Sequence, residues 1–178
     1  MKRISKPALV VLIAAFILAG YIVVKLLFPS PAELTFNYAA RQKTVKLYFV
    51  NQDGKLQIEK REIQGSTNVS DDVMICVTEL AKGPKEKNLY GALPKYALLR
   101  EVYIDDNRCA YLDFSKNILT DAKGGTTAEK QLVFSLVNTV LENFGQITSV
   151  RILMEGEELK TLYGHLDVNR PLWGRTLE

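Results

Sequence analysis

An apolar run near the start of the chain places the strongest constraint on its fold. Residues 8–24 carry no charge, and three more apolar residues follow Lys25. When Lys25 extends its ammonium group toward lipid headgroups, Ala8 to Phe28 form about 31 Å of helix, which matches the hydrocarbon thickness of a bilayer. We therefore expect a transmembrane signal anchor that contacts the lipid bilayer through residues 8–28.

The charges around this run predict its orientation. Lys2, Arg3 and Lys6 precede it, and residues 1–28 contain no acidic side chain. Because basic residues favour the cytoplasmic side, we expect a single-pass protein of the inner (cytoplasmic) membrane. Its N-terminus would be cytoplasmic and its body extracytoplasmic, or periplasmic.

Two other kinds of N-terminal signal compete with an uncleaved anchor. Cleavage after a signal peptide needs a small-x-small site, and Ser30-Pro31-Ala32 fits poorly because proline lies inside it. A lipoprotein signal needs a cysteine, but Tyr21 occupies that position after Leu18-Ala19-Gly20. The uncleaved anchor is favoured, and cleavage remains the alternative.

The charge balance argues against nucleic acid as a partner. The chain has 23 Lys and Arg residues and 20 Asp and Glu residues. Four of the basic residues (Lys2, Arg3, Lys6 and Lys25) belong to the anchor region, which leaves 19 basic against 20 acidic residues. A body with a net charge near −1 lacks the basic surface that a phosphate backbone requires.

A short stalk and a folded domain are expected after the anchor. Proline and polar residues in 29–43 predict a linker, residues 44–172 the domain, and 173–178 a C-terminal tail. Apolar residues at every second position (Val45, Leu47 and Phe49) predict the first strand. A turn over residues 51–54 leads to a second strand over 56–63.

Two helices are predicted by caps and periodicity. Ser70 is the expected N-cap of the first, whose apolar positions (Val73, Cys76, Val77 and Leu80) share one face before Gly83-Pro84. Residues 126–129 read as a capping box that starts the second helix, which ends near residue 145.

Three further strands complete the pattern. Residues 98–105 and 108–114 form a predicted hairpin, with Asp106-Asn107 as a turn that tolerates positive φ, and residues 147–154 form the last strand. The order β-β-α-β-β-α-β predicts an α+β domain, a mainly antiparallel sheet with both helices packed on one face.

Seven short motifs in this order resemble the GerMN domain of sporulation and spore-germination proteins, over about residues 44–172. The motifs are Leu47-Tyr48-Phe49, Leu80-Ala81-Lys82-Gly83-Pro84, Leu93-Pro94, Leu112-Asp113-Phe114-Ser115, Val137-Asn138-Thr139-Val140, residues 150–156, and Leu162-Tyr163-Gly164-His165-Leu166-Asp167 leading to Pro171-Leu172.

The resemblance implies a non-enzymatic module outside the cytoplasmic membrane that supports assemblies in the cell envelope. It also implies a protein partner or self-association. The chain differs from the family pattern in lacking the lipobox cysteine of many members and in carrying one copy of the domain where the sporulation protein carries two.

Catalytic chemistry would depend on His165, the one histidine of the chain. As a general base it would pair with Asp167 or a distant carboxylate and act on Ser115 or Ser135, which would make an envelope hydrolase. The favoured interpretation is a structural imidazole, and therefore no enzyme activity.

The two cysteines, Cys76 and Cys109, raise the alternatives of a disulfide and a metal site. Strand parity places Cys109 with Tyr111 and Asp113, away from the face of Ala110, Leu112 and Phe114, so we expect free thiols. The residue spacing supports neither a metal site nor a cofactor.

The candidate interaction residues lie in two places. Trp173 and Arg175 belong to the tail, and both residue types often anchor interfaces. The alternative is that the tail folds back over the domain's own sheet. Lys85, Lys87 and Tyr90 lie in the lysine-rich loop 83–94, which would bind anionic cell-wall polymer (peptidoglycan) if the domain is a wall-binding module instead.

Overall fold

The computed structural model describes residue 16 and residues 18–22, 41–120 and 125–174. The chain divides into two units, Met1–Ala39 and Ala40–Glu178. Residues 18–22 are helical, but most of the predicted anchor 8–28 and of the stalk 29–43 lies outside the described residues. Within the described part, no helix is long and apolar enough to cross a bilayer.

The second unit contains the elements of an α+β fold. Its strands and helices are β1 (Arg41–Val50), β2 (Leu56–Gly65), α1 (Val69–Ala81), β3 (Leu99–Ile104), β4 (Cys109–Phe114), a 3-10 turn (Lys116–Leu119), α2 (Thr126–Asn143), β5 (Ser149–Met154) and β6 (Glu157–Glu158). The predicted order is confirmed, with β6 as an addition. The predicted boundary between residues 43 and 44 falls inside β1.

The strands form two sheets where the sequence predicted one mainly antiparallel sheet. β1 and β2 make an antiparallel hairpin, and the other strands make a four-stranded sheet of order β3-β4-β5-β6. β4 and β5 run parallel, whereas β3–β4 and β5–β6 are antiparallel. Three of the four pairings are antiparallel, as predicted, but the strands do not form one sheet. The parallel pair arises because α2 connects β4 to β5 as a crossover, which returns the chain in the same direction.

A polar stripe on α2 covers the edge of β1 that faces away from β2. Asn143 accepts from the Lys46 N–H (2.8 Å) and donates to the Lys46 carbonyl (2.7 Å). Thr139 accepts from the Tyr48 N–H (3.0 Å), and Ser135 donates to the Tyr48 carbonyl. The helix thereby takes the place of a neighbouring strand, which is why the hairpin does not join the larger sheet through β1.

The hydrophobic core is formed by α1, α2 and the inner faces of both sheets. On α1 the predicted face of four residues is buried (Val73, Cys76, Val77 and Leu80). On β4 the predicted inner residues Ala110, Leu112 and Phe114 are fully buried, while Tyr111 and Asp113 are partly exposed. Helix α2 is buried at every position from Leu132 to Val140, because it contacts β1, α1 and β5.

Two local predictions were wrong. The N-cap of α1 is Asn68, whose side chain accepts from the Ser70 N–H (2.9 Å), so Ser70 is a donor at this cap. In the β3–β4 turn the positive φ (65°) belongs to Arg108. The Arg108 guanidinium secures that turn through the carbonyls of Gly145 and Gln146, each at 2.7 Å.

Cys76 and Cys109 are both buried and both free. Burial raises the pKa of the Cys76 thiol to about 12, and burial also raises the pKa of Cys109. The thiols are therefore protonated and unreactive in the folded state near neutral pH.

We predict that Asn143→Ala lowers the free energy of unfolding by about 2 kcal/mol, because it leaves the N–H and the carbonyl of Lys46 without partners. Urea titration of the full chain in detergent, followed by circular dichroism, measures this. Lys130→Ala, at an exposed position on the same helix, is the control and should change stability by less than about 0.5 kcal/mol. Equal effects of the two variants would contradict the role of the stripe.

Candidate binding groove

A groove of about 830 Å³ opens at one end of the domain. Its walls come from the β1–β2 turn, the segment 90–95, the first turns of α2 and one residue of the C-terminal segment. The lining residues are Val50, Asn51, Gln52, Gly54, Tyr90, Gly91, Ala92, Leu93, Pro94, Lys95, Ala128, Gln131 and Tyr163.

The Tyr90 wall has a fixed backbone and an exposed ring. Tyr90 exchanges two backbone hydrogen bonds with Val50, at 2.7 and 3.0 Å, where β1 ends. Leu89 and Leu93 are buried on either side, whereas Tyr90 is 55% exposed. An aromatic side chain on a rigid backbone contributes contact area at little cost in conformational entropy.

The opposite wall is the β1–β2 turn. The Asn51 side chain accepts from the N–H groups of Asp53 (3.0 Å) and Lys55 (2.9 Å), and Gly54 adopts a positive φ of 77°. Gln131 on α2 donates to the Gly54 carbonyl at 3.0 Å. The turn is therefore fixed to the helix that forms the floor of the groove.

Glu129 on α2 positions the remaining wall. Its side chain is fully buried, and its two oxygens accept four backbone N–H bonds from the C-terminal segment. Oε1 accepts from Leu162 (2.9 Å) and Tyr163 (2.8 Å), and Oε2 from His165 (2.8 Å) and Leu166 (3.0 Å). Four charge-assisted bonds offset the desolvation of a buried carboxylate.

The predicted capping box at residues 126–129 is therefore wrong. Helix α2 has Gly125 as its N-cap, with no side-chain capping bond, and the Glu129 N–H bonds to the Gly125 carbonyl at 3.2 Å. The Glu129 carboxylate is fully engaged by a segment more than thirty residues away. A tertiary contact has replaced the local one.

Tyr163 enters the groove from this segment. Its hydroxyl donates to the Ile118 carbonyl at 2.8 Å. Burial, together with the nearby Glu129 carboxylate, raises the pKa of Tyr163. The phenol therefore remains a neutral donor at physiological pH and ties the groove wall to the 3-10 turn.

The predicted interaction residues do not converge on this groove. Tyr90 lines it, but Lys85 and Lys87 are exposed on the preceding loop, and the lysine in the lining is Lys95. Trp173 is 60% exposed and lines a separate cavity of about 150 Å³ beside Phe134 on α2. Arg175 lies outside the described residues. Their roles in binding stay predictions.

The C-terminal segment does fold back on the domain. Leu172 is buried and exchanges backbone bonds with Val150 of β5, at 2.8 and 2.9 Å. Leu172, which directly precedes the tail, is thus paired with the domain's own sheet, whereas the Trp173 side chain stays largely in solvent.

A buried ion pair fixes the lysine-rich loop. Arg61 on β2 pairs with Glu59 and also donates to the Gly83 carbonyl (3.0 Å), while Glu59 accepts from the N–H groups of Lys85 (2.7 Å) and Glu86 (3.0 Å). Burial acts to raise the pKa of Glu59, but these N–H donors and Arg61 outweigh it and lower the pKa. The loop that presents Lys85 and Lys87 is thus anchored at its start.

Of the residues proposed for hydrolysis, Ser135, His165 and Asp167 have structural contacts, whereas the buried Ser115 hydroxyl has no hydrogen-bond partner in the described part of the chain. The Ser135 hydroxyl donates to the Tyr48 carbonyl, and the backbone N–H of His165 donates to the Glu129 carboxylate. The Asp167 carboxylate accepts from the Asn169 backbone N–H at 3.0 Å. Within residues 41–120 and 125–174, the His165 imidazole makes no hydrogen bond to a serine, cysteine or carboxylate. The same part of the chain contains no group of three potential metal ligands.

Comparison with known proteins defines the class of this domain. The family model named Germane, for sporulation and spore germination, matches residues 46–160. The chain therefore belongs to this family, as its motifs indicated. No curated protein matches the chain.

Solved structures share the fold. The first GerMN domain of the sporulation protein GerM from Bacillus subtilis has a TM-score of 0.58 at 19% identity, covering 75% of this chain and 98% of that one. The tandem GerMN domains of GerM give 0.60 at 19% identity, covering 74% of this chain and 46% of that one. A protein from Clostridium perfringens described as a candidate lipoprotein gives 0.54 at 23% identity, covering 74% and 87%.

Sequence reasoning missed Gln131, Tyr163 and Glu129 as groove-forming residues. Glu129 carried a misleading local signal, since the pattern at 126–129 matches a capping box. Tyr163 was noted only as part of a family motif, and Gln131 carried no signal, because its contact with Gly54 spans 77 positions.

We predict that Glu129→Gln destabilises the domain by about 2–4 kcal/mol, because the amide presents an N–H₂ group where two backbone N–H donors converge. Urea titration measures the loss, and limited proteolysis should show earlier cleavage within residues 159–170. Lys130→Gln, at an exposed neighbouring position, is the control. A change below about 0.5 kcal/mol for Glu129→Gln would contradict this assignment.

Proposed function

We propose that this protein is a membrane-anchored, extracytoplasmic module of the bacterial cell envelope that binds a protein partner through the groove beside Tyr90 and performs no catalysis. The observation that carries the proposal is the exposed Tyr90 ring, because the backbone N–H and carbonyl of Tyr90 are both hydrogen-bonded to Val50 of β1. A groove lined by both apolar and polar side chains is typical of a binding site.

The chemistry of the groove favours an extended peptide segment. Ala92 and Pro94 supply apolar surface, and the Tyr90 ring can cover an apolar side chain of the partner. Gln52 offers an amide at the rim, and Lys95 is an exposed cation. We therefore propose that the partner segment carries an apolar residue followed by an acidic one.

Support for a non-catalytic role comes from the uses of the reactive side chains. The Glu129 oxygens are occupied by backbone amides, and the Ser135 hydroxyl is bonded to β1. Burial holds the pKa of Cys76 at about 12, far above the range of a nucleophilic thiol. These groups serve the fold.

Anchoring is proposed on the sequence of residues 8–28 and the basic residues that precede it. The lipoprotein description of the Clostridium perfringens neighbour is consistent with a related domain held at a membrane surface. A helical anchor would attach this domain to the cytoplasmic membrane with its groove outside.

Reporter fusions test the proposed topology. Alkaline phosphatase fused after residue 178 should be active, and the same enzyme fused after residue 6 should be inactive, because the enzyme needs an oxidising compartment. A mature protein that begins near residue 32 would show that the N-terminal segment is cleaved. An inactive fusion after residue 178 would overturn the proposed orientation.

Variants of the groove test the binding proposal. Tyr90→Ala with Lys95→Glu should reduce recovery of the partner, cross-linked in cells and co-purified with the full chain, by about tenfold or more. Tyr96→Ala with Lys160→Glu is the matched control, since both residues are exposed and lie outside the groove lining and the lysine-rich loop. Equal recovery with both double variants would contradict the groove as the binding site.

The second candidate is a peptidoglycan-binding module. It is favoured by Lys85 and Lys87, two exposed cations on a loop whose backbone Glu59 fixes in place. Sedimentation of the full chain with purified peptidoglycan should then weaken when Lys85 and Lys87 are changed to Glu. Ala128→Trp, which fills the floor of the groove, should leave sedimentation unchanged, so the two candidates are separable.

A further inference from the structure

The outer edge of β2 is an open strand edge. On β1 the backbone groups of Lys46, Tyr48 and Val50 point away from β2, toward α2 and Tyr90. In the register of the hairpin, residue 47 of β1 lies opposite residue 59 of β2, and residue 45 lies opposite residue 61. Because the even-numbered residues of β1 point away from β2, its odd-numbered residues exchange backbone hydrogen bonds with the odd-numbered residues of β2. Even-numbered residues of β2 therefore direct their N–H and carbonyl groups outward.

The outward groups belong to Ile58, Lys60, Glu62 and Gln64. Within residues 41–120 and 125–174, none of these backbone groups is hydrogen-bonded. All four side chains are exposed. The edge is thus accessible from both the backbone and the side chains.

The other strand edges of the domain are covered or shortened. Helix α2 and Tyr90 cover β1, and Leu172 and β6 cover β5. β3 has six residues and an irregular register between Leu99 and Glu101, and such bulges prevent further pairing. β2 differs from these because it has ten residues in continuous register with β1.

The charges on β2 are complementary to those of a second β2. In an antiparallel pair related by a two-fold axis at Arg61, Lys60 faces Glu62 of the other copy, and Ile58 faces Gln64. On the opposite face Arg61 lies across from Arg61 of the other copy, where Glu59 and Glu79 of its own chain neutralise each guanidinium. Opposite charges directly across a strand pair are favourable. Moving the axis to residue 60 would place Lys60 opposite Lys60, and moving it to residue 62 would place Glu62 opposite Glu62. Either arrangement sets like charges against each other and is unfavourable.

The environment of Lys60 within its own chain strengthens this complementarity. Lys60 lies across the hairpin from Lys46, a like charge. Lys46 has a carboxylate partner in Glu142 at 3.1 Å, whereas in the described part of the chain neither Lys60 nor Glu62 belongs to an ion pair. A Glu62 from a second copy would supply the carboxylate that Lys60 lacks.

We infer that two copies of this chain associate through their β2 strands, in the register with Arg61 on the two-fold axis, to form a continuous four-stranded sheet β1-β2-β2-β1. Each of four outward-facing pairs would exchange two backbone hydrogen bonds. The inference goes beyond the proposed groove. It rests on the proposed anchoring only because confinement to one membrane raises the effective concentration of the two copies.

Cysteine variants of the full chain in lipid vesicles test the register. A short thiol cross-linker should join Lys60→Cys to Glu62→Cys when the two variants are mixed, with a higher yield than either variant gives alone. The unmodified chain is the control, because Cys76 and Cys109 are buried. No cross-link in the mixture, or equal yields from all three samples, would overturn the inference.

Charge variants test the pairing independently. Lys60→Glu should weaken dimer formation in detergent by about tenfold, and so should Glu62→Lys, whereas mixing the two variants should restore it. Lys55→Glu, an equal charge change at the exposed turn, should have no effect. A dimer that is unaffected by Lys60→Glu, or a chain that is monomeric in vesicles, would overturn the inference.

These measurements are independent of the proposed binding groove. Dimer formation is read in purified protein, whereas groove binding and membrane topology are read in cells. Loss of the partner with Tyr90→Ala and an intact dimer would leave both proposals standing. An absent dimer would remove only the β2 association.

Discussion

The rest of the domain depends on burying the carboxylate of Glu129 within a set of backbone donors. A buried carboxylate without partners would cost several kcal/mol, and here four N–H groups satisfy both oxygens. Because the donors belong to residues 162–166, the interaction joins the start of α2 to the C-terminal segment. That segment in turn supplies Tyr163 to the groove and leads to Leu172, which covers β5.

Helix α2 also determines which surfaces remain free for partners. Its polar stripe occupies the β1 edge, so the hairpin can extend only through β2. Its first turns form the floor of the groove and fix the β1–β2 turn through Gln131. The open surfaces, which are the groove at one end and the β2 edge at the side, therefore follow from how one central helix satisfies its buried polar groups. A dimer through β2 would present two grooves to the envelope.

The sequence predicted the features that depend on local periodicity and missed those that depend on distant partners. The element order, the buried face of α1 and the inner residues of β4 are confirmed, because each follows from a period of 3.6 or 2. The division into two sheets was not predicted. A signal existed in Ser135, Thr139 and Asn143, polar residues four apart that share one face of α2, but it identifies no partner strand. Glu129 shows the same limit, since a long-range contact replaced a strong local pattern.

The most direct test of the account is a photo-cross-linking amino acid placed at residue 90 of the full chain in the host's living cells. We predict that ultraviolet light joins this position to one envelope protein, and that Ala128→Trp, which fills the floor of the groove, removes the adduct. The same probe at residue 130, on the exposed side of α2, should give no such adduct. Adducts at residue 90 that match those at residue 130, or that persist with Ala128→Trp, would contradict the groove as the site at which this protein acts.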